Sequence, residues 1–152
     1  MTIDYIVSSL PALEFGSAPQ LTMEQFAEIT GGEALKMPKR WLDLDAQLRN
    51  ALVEARGGEA KYFRPSDTLS LYWKNRVLAC FQEKSVMRRE ELLDRVWWDA
   101  AGELIDITSP LGKGSLYAYA IRLKIAIKRA SLSKEKGEKV LEAVTSEAEV
   151  KL

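Results

Sequence analysis

The sequence predicts an all-α fold: a single bundle of about five to six helices, compact or elongated in outline. Three observations carry that prediction. Apolar residues recur at three- and four-residue spacing through every long segment. Glycine and proline fall between those segments, where helices start and stop. No two alternating runs flank a hairpin turn, so no strand pair is indicated. With 152 residues, 47% of them hydrophobic, one such domain can bury its core without disulfides or metal.

Residues 1–21 read as an irregular or short-element arm. Ile3, Tyr5 and Val7 alternate there while Ile6 and Leu10 keep helical spacing, so strand and helix both remain open. Pro11, Gly16 and Pro19 mark a link. Thr22 and Gln25 then form a capping box for the helix MEQFAEIT, which Gly31-Gly32 stops. From Pro38 to Arg56, Trp41, Leu44, Leu48, Ala51, Leu52 and Ala55 fall within an arc of about 100° that should face the core. Asp45 and Arg49, four apart on its edge, predict a surface ion pair.

Gly57-Gly58 ends that helix, and Pro65 and Ser66 precede the next, LSLYWKNRVLACFQEK, with Leu69, Trp73, Val77, Cys80 and Phe81 as its inward stripe. Residues 88–101 form another helix, continuous with the last or kinked near Ser85. Leu93, Trp97 and Ala100 share one face, and Glu91 with Arg95 makes an i,i+4 pair. Residues 106–114 are loop. The run LYAYAIRLKIAIKRA, 116–130, is the next helix, and Ser133 is expected to cap a separate last one, KEKGEKVLEAV, weakened at Gly137, with 141–152 as a frayed tail.

Acids and bases balance at 22 each, which argues against a globally basic polyanion binder. Along the chain the balance is uneven: Lys113, Arg122, Lys124, Lys128, Arg129, Lys134, Lys136 and Lys139 crowd residues 111–140 against only Glu135 and Glu138. The chain has no histidine, which removes the usual base near neutral pH, the commonest zinc ligand and every Ser-His or Cys-His pair. The lone Cys80, within VLACF, reads as a small buried hydrophobe. Asp4 in place of a basic leader, and Pro11 within the first apolar run, predict a soluble, cytoplasmic chain.

Few motifs carry chemistry. Ser131 and Ser133 each stand three residues before a lysine, but the companion motifs of serine-lysine chemistry are missing. Asp43 and Asp45, two apart on a helix, point to different sides and make a poor metal pair. Neither G-x-x-x-x-G-K-[ST] nor G-x-G-x-x-G occurs. Gly112-Lys113-Gly114-Ser115 before a helix is at most a weak anion cradle. Trp41, Trp73, Trp97 and Trp98 sit beside aliphatic residues as helix-packing aromatics. No catalytic residue, cofactor or metal is therefore expected.

On a helical wheel of 116–130, Leu116, Ala120, Leu123, Ile127 and Ala130, edged by Tyr119 and Ala126, form an uncharged core face. A second apolar strip, Ala118, Ile121 and Ile125, lies opposite, bounded by Lys124 and Lys128 on one side and by Arg122 and Arg129 on the other. Three readings compete. The helix is central and covered on both sides by its own chain, its cations reaching acids on other helices. Or the strip docks a partner helix carrying acids. Or the basic segment 111–140 binds nucleic acid or an anionic membrane.

The order of segments DYIVSSLPALEFG, LRNALVEARG with a following YFRP, EELLDRVWWDAAGEL, and LYAYAIRLKIAIKRASLSKEKGEKVL resembles a bacterial family whose members are typically encoded among the subunits of V/A-type rotary ATPases. That family is in turn similar to the non-catalytic cap of those enzymes, the piece that joins the central stalk to the membrane rotor ring. The resemblance spans nearly the whole chain, and its last segment is the most specific part. It implies a non-catalytic subunit, accessory or assembly protein with other ATPase subunits as partners on the stalk or rotor side, peripheral to the membrane through the complex. It also implies packing or docking roles for Arg49, Asn50 and Arg56 and for the 116–130 helix. The chain departs from the pattern at Gly57-Gly58, where the family motif more often continues as helix, and in being shorter than a full three-lobed cap. Within this reading Ile121 and Ile125 supply apolar docking, while Arg122, Lys124, Lys128 and Arg129 select an acidic partner.

Overall fold

The caps legible in the sequence set where the helices begin. In the computed structural model, which describes the backbone of residues 2–151 and the side chains of residues 2–135 other than Glu33, the elements are α1 (Ile3–Ser9), α2 (Met23–Thr30), α3 (Lys39–Ala55), α4 (Leu71–Cys80), α5 (Val86–Ala101) and α6 (Lys113–Lys151). Short 3-10 turns lie at Glu33–Leu35, Ala60–Tyr62 and Gly102–Leu104. The fold is all-α, with no strand among the described residues.

The capping box of α2 forms as read: the Thr22 hydroxyl accepts from the Gln25 N–H and the Gln25 side chain accepts from the Thr22 N–H. Gly31, at φ 71°, takes the left-handed conformation that closes the helix. In the N-terminal arm the helical spacing prevails, and the Thr2 hydroxyl accepts from the Tyr5 N–H to start α1. The Ser85 hydroxyl accepts from the Arg88 N–H, so α4 and α5 are separate helices.

Three local expectations are corrected. Leu69 precedes α4 and is 73% exposed, leaving Trp73, Val77 and Cys80 as the buried stripe. The ion pairs on α5 are Arg88 with Glu91 and Arg95 with Asp99, in place of Glu91 with Arg95: Arg88 takes Glu91, and Arg95 shares Asp99 with Arg76 of α4. Finally, Ser133 starts no helix. α6 runs unbroken through it to Lys151, since nothing between Ala130 and Lys134 breaks the backbone ladder. The side chains of the tail expected at 141–152 lie outside the described residues.

α6 is the axis of the fold. On one side Ala118 and Ile121 join a core of Trp41, Leu44 and Leu48 from α3, Trp73 and Val77 from α4, and Leu93 and Val96 from α5. On the other side Leu116, Ala120 and Leu123 pack with Ile6 of α1 and Phe26 of α2. Met37 touches both clusters. Tyr119 stacks on Phe26 at 5.4 Å and donates its hydroxyl to the Pro11 carbonyl at 2.7 Å, pinning the N-terminal arm. Gly114 permits the docking of the α6 start: a Cβ there would run into the backbone carbonyl of Leu104. Among the described residues no helix is long and apolar enough to cross a membrane.

Candidate functional site

The two basic seams of α6 were the sequence's strongest pointer to a site, and the structure places each residue. Ile121 is 8% exposed within the α3/α4/α5 core, and Ile125 packs half-buried against the same cluster. The expectation that this strip docks a partner is thereby corrected: it meets the chain's own helices, because α3, α4 and α5 bury far more apolar surface by closing on it than by leaving it open.

The cations divide accordingly. Lys128 and Arg129 converge on Asp94 of α5, with Lys128 Nζ donating to Oδ1 at 2.5 Å and Arg129 Nη1 to Oδ2 at 2.8 Å. Asp94 is only 8% exposed while the Lys128 side chain stays half in water, so this cluster ties α5 to α6 at the edge of the core. Arg122, on the same flank as Arg129, instead donates its Nε–H to the Trp98 carbonyl at 3.0 Å. Trp98 stands in the last turn of α5, where carbonyls lack intrahelical donors, so Arg122 caps α5 from a neighbouring helix. Burial pushes the Arg122 guanidinium below its ordinary pKa, with Asp99 opposing that shift and Arg95 adding to it. Lys124 is exposed, with no partner among the described residues.

Arg49 and Arg56, carried by the family resemblance, lie on α3 and at its C-cap. Arg49 Nε donates to Asp45 at 2.9 Å as the spacing predicts. Asp45 also accepts from the Trp97 indole at 3.0 Å, which joins α3 to α5. Arg56 is exposed, and no described residue pairs with it. Between them Asn50 has a role that spacing could not show: its side-chain carbonyl accepts from the Arg64 N–H at 2.7 Å, and its amide donates to the Arg64 carbonyl at 3.0 Å.

Sequence reasoning also missed Asp43. Its carboxylate accepts from Thr68 Oγ1 at 2.5 Å, the Asp67 N–H at 2.6 Å, Gln47 Nε2 at 2.9 Å and Ser66 Oγ at 3.0 Å. These bonds, that from Thr68 foremost and that from Asp67 next, lower its pKa to about 2 although it lies near the surface. A run of Ser, Asp and Thr after a proline was the available signal, but it reads equally as ordinary loop.

Other candidate chemistry lands in structural roles. Cys80 is buried, its thiol donates to the Arg76 carbonyl at 3.3 Å, and burial pushes its pKa up. Trp73 gives its indole N–H to Glu103 at 2.6 Å. Ser115 donates to the Pro110 carbonyl at 2.5 Å and closes the loop before α6. Ser131 and Ser133 are exposed on α6. Among the described residues no three His, Cys, Asp or Glu side chains converge as a metal site would need.

A cleft of about 730 Å³ lies between the N-terminal arm, the start of α5 and the part of α6 beyond the core, with Gly16, Met87, Arg88, Arg129 and Leu132 on its walls. From Ser131 to Glu135 all five residues of α6 are exposed. Five residues exceed one helical turn, so no face of the helix is fully buried there, and Leu132 on the cleft wall is 45% exposed. Comparison of the chain with protein-family models, with curated proteins and with solved structures finds no match in any of the three.

Proposed function

We propose that this chain acts by protein contact, as a non-catalytic subunit or accessory or assembly protein of a V/A-type rotary ATPase, a shortened cap-like element on the central-stalk or rotor side. The observation that carries the contact role is α6 itself. Its first half is clamped between two cores, and from Ser131 to Glu135 it continues as helix with each residue exposed. Leu132 in this stretch is a large apolar side chain left 45% exposed on the wall of the cleft, where a partner could cover it. The ATPase assignment is supported by the order of sequence segments described above.

The alternative, a nucleic-acid module using residues 111–140, draws less support. Arg122, Lys128 and Arg129 already meet protein groups, so fewer cations are free to neutralise phosphates. The side chains of Lys136 and Lys139 lie outside the described residues.

Affinity purification of the tagged chain, under conditions that keep the ATPase intact, tests the proposal. Recovery of stalk or rotor subunits is the expected result. Recovery of none of them would sink the ATPase reading.

A further inference from the structure

The two cores of this fold have almost no residue in common. The buried apolar residues before Pro38 are Ile6, Phe26 and Ala34, and all three lie in the core that packs on Leu116, Ala120 and Leu123 of α6. The other core is built from α3, α4, α5 and the opposite face of α6. Among the described residues Met37 alone belongs to both. α6 thus serves as wall for two separate units, and one of them is the N-terminal arm, residues 2–37.

The two units are fastened differently. From α3 onward the helices are cross-tied: Asp94 holds Lys128 and Arg129, Arg122 reaches the Trp98 carbonyl, and the indoles of Trp97 and Trp73 donate to Asp45 and Glu103. Arg40, in the first turn of α3, donates from Nη2 to the Glu103 carbonyl at 2.9 Å, so this network begins where the arm ends. The arm is held chiefly by apolar and ring contact. Besides the stack and hydrogen bond of Tyr119, Phe15 sets its ring edge-on to Trp98 at 5.5 Å, with the Arg95 guanidinium over it at 5.1 Å.

Packing along the arm's seam is also open. A cleft of about 190 Å³ lies between Ile3, Ile6 and Thr30 on one side and Lys113 and Tyr117 of α6 on the other. The cleft of about 730 Å³ lies between residues 16–18, α5 and α6. Walls that face a gap lack dispersion partners, so parting this seam loses less than parting a close-packed one. A unit with its own core and few ties opens at a lower free energy than the whole chain unfolds.

We propose that residues 2–37 are a releasable strap: α1 and α2 leave α6 together, while α3, α4 and α5 stay closed on its other face. Release bares Leu116, Ala120 and Leu123. The arm itself is the occupant of that face, so α6 presents this apolar surface only while the strap is open. The device goes beyond the contact role proposed above and is independent of the assembly to which the chain belongs.

Amide hydrogen exchange of the full-length chain, repeated over a series of low urea concentrations, tests the strap. Relative to the unfolded chain, the hydrogen-bonded amides of α1 and α2 should exchange about tenfold or more faster than those of Leu48, Val77 and Val96. α1 and α2 should also share one opening free energy and one urea dependence. Equal protection of arm and body would overturn the proposal, and so would arm exchange that ignores urea, which is fraying of single helices. A second measurement reads the bared face. In the variant Ala120→Cys the native Cys80, buried in the other core, is the internal control. With each rate divided by its value in the urea-unfolded chain, a thiol reagent should modify position 120 about tenfold or more faster than Cys80, at a rate that follows the α2 amides. Modification of position 120 no faster than Cys80 would overturn the proposal, because that face would then open only when the whole chain unfolds.

Discussion

Arg122 of α6 donates its Nε–H to the Trp98 carbonyl at 3.0 Å while its guanidinium lies over the same residue's indole at 5.5 Å. One side chain thus satisfies a helix-end carbonyl and covers an aromatic face. Arg122→Ala removes both and should destabilise the fold by about 2 kcal/mol. Arg122→Lys keeps the charge but loses the planar fork, and should recover less than half of that. Denaturant titration of the three proteins reads the difference directly.

Asp94 joins α5 to α6 through Lys128 and Arg129. Asp94→Ala leaves both cations without their carboxylate. The Lys128 side chain is 52% exposed and that of Arg129 22%, so water relieves part of the loss. A cost of about 2 kcal/mol follows, below that of breaking a fully buried pair. Arg129→Ala should cost less, because Lys128 still covers the carboxylate. A double-mutant cycle between positions 94 and 129 should show a coupling of about 1 kcal/mol.

Burial of the Ile121 strip sets a third expectation. Ile121→Ala should cost about 2–4 kcal/mol, and Ile121→Asp should prevent folding, because an unpaired carboxylate would enter the core. Lys124→Ala, three residues on and exposed, should stay within about 0.5 kcal/mol of wild type. Far-UV circular dichroism and thermal melting distinguish the outcomes. An Ile121→Asp protein that folds normally would return the strip to the role of a free surface.

Asp43 links the α3–α4 connection to pH. Its folded pKa is about 2 against an ordinary 3.8, so the carboxylate binds its proton more weakly in the folded state. The stability this contributes is fully present above pH 4 and is lost as the pH falls through 4 toward 2. The stability gap between wild type and Asp43→Asn should therefore be constant from pH 7 to 5 and shrink below 4. Amide exchange at Asp67 and Thr68, followed over the same range, should rise in wild type only at the acid end.

Much of the architecture was legible before the fold was known. Thr22 with Gln25 and the arc from Trp41 to Ala55 depend on neighbours within one or two turns, and they form as read. The errors share a cause. Leu69 and Ser133 were placed by local pattern, but a stripe does not say where a helix starts when a tertiary clamp holds the preceding loop, and a capping residue does not cap when the helix is already under way. Glu91 and Arg95 had the right spacing, yet Asp99 offered Arg95 a carboxylate in a cluster that also holds Arg76. Of the candidate site, the residues were visible but their partners were not: Asp94 lies 34 positions from Lys128, a separation that periodicity cannot bridge.

By itself the sequence determined that this chain is helical, where most of its helices lie, and that α6 has two apolar faces divided by basic seams, since these follow from local spacing and composition. Only the tertiary structure decided that both faces are core, that Arg122, Lys128 and Arg129 have partners within the chain, and that Tyr62 and Phe63 between α3 and α4 are exposed. The physical reason is that burial and charge pairing are relations between segments distant in sequence. A cation or an isoleucine strip looks the same along the chain whether another helix of the same protein covers it or a different protein does.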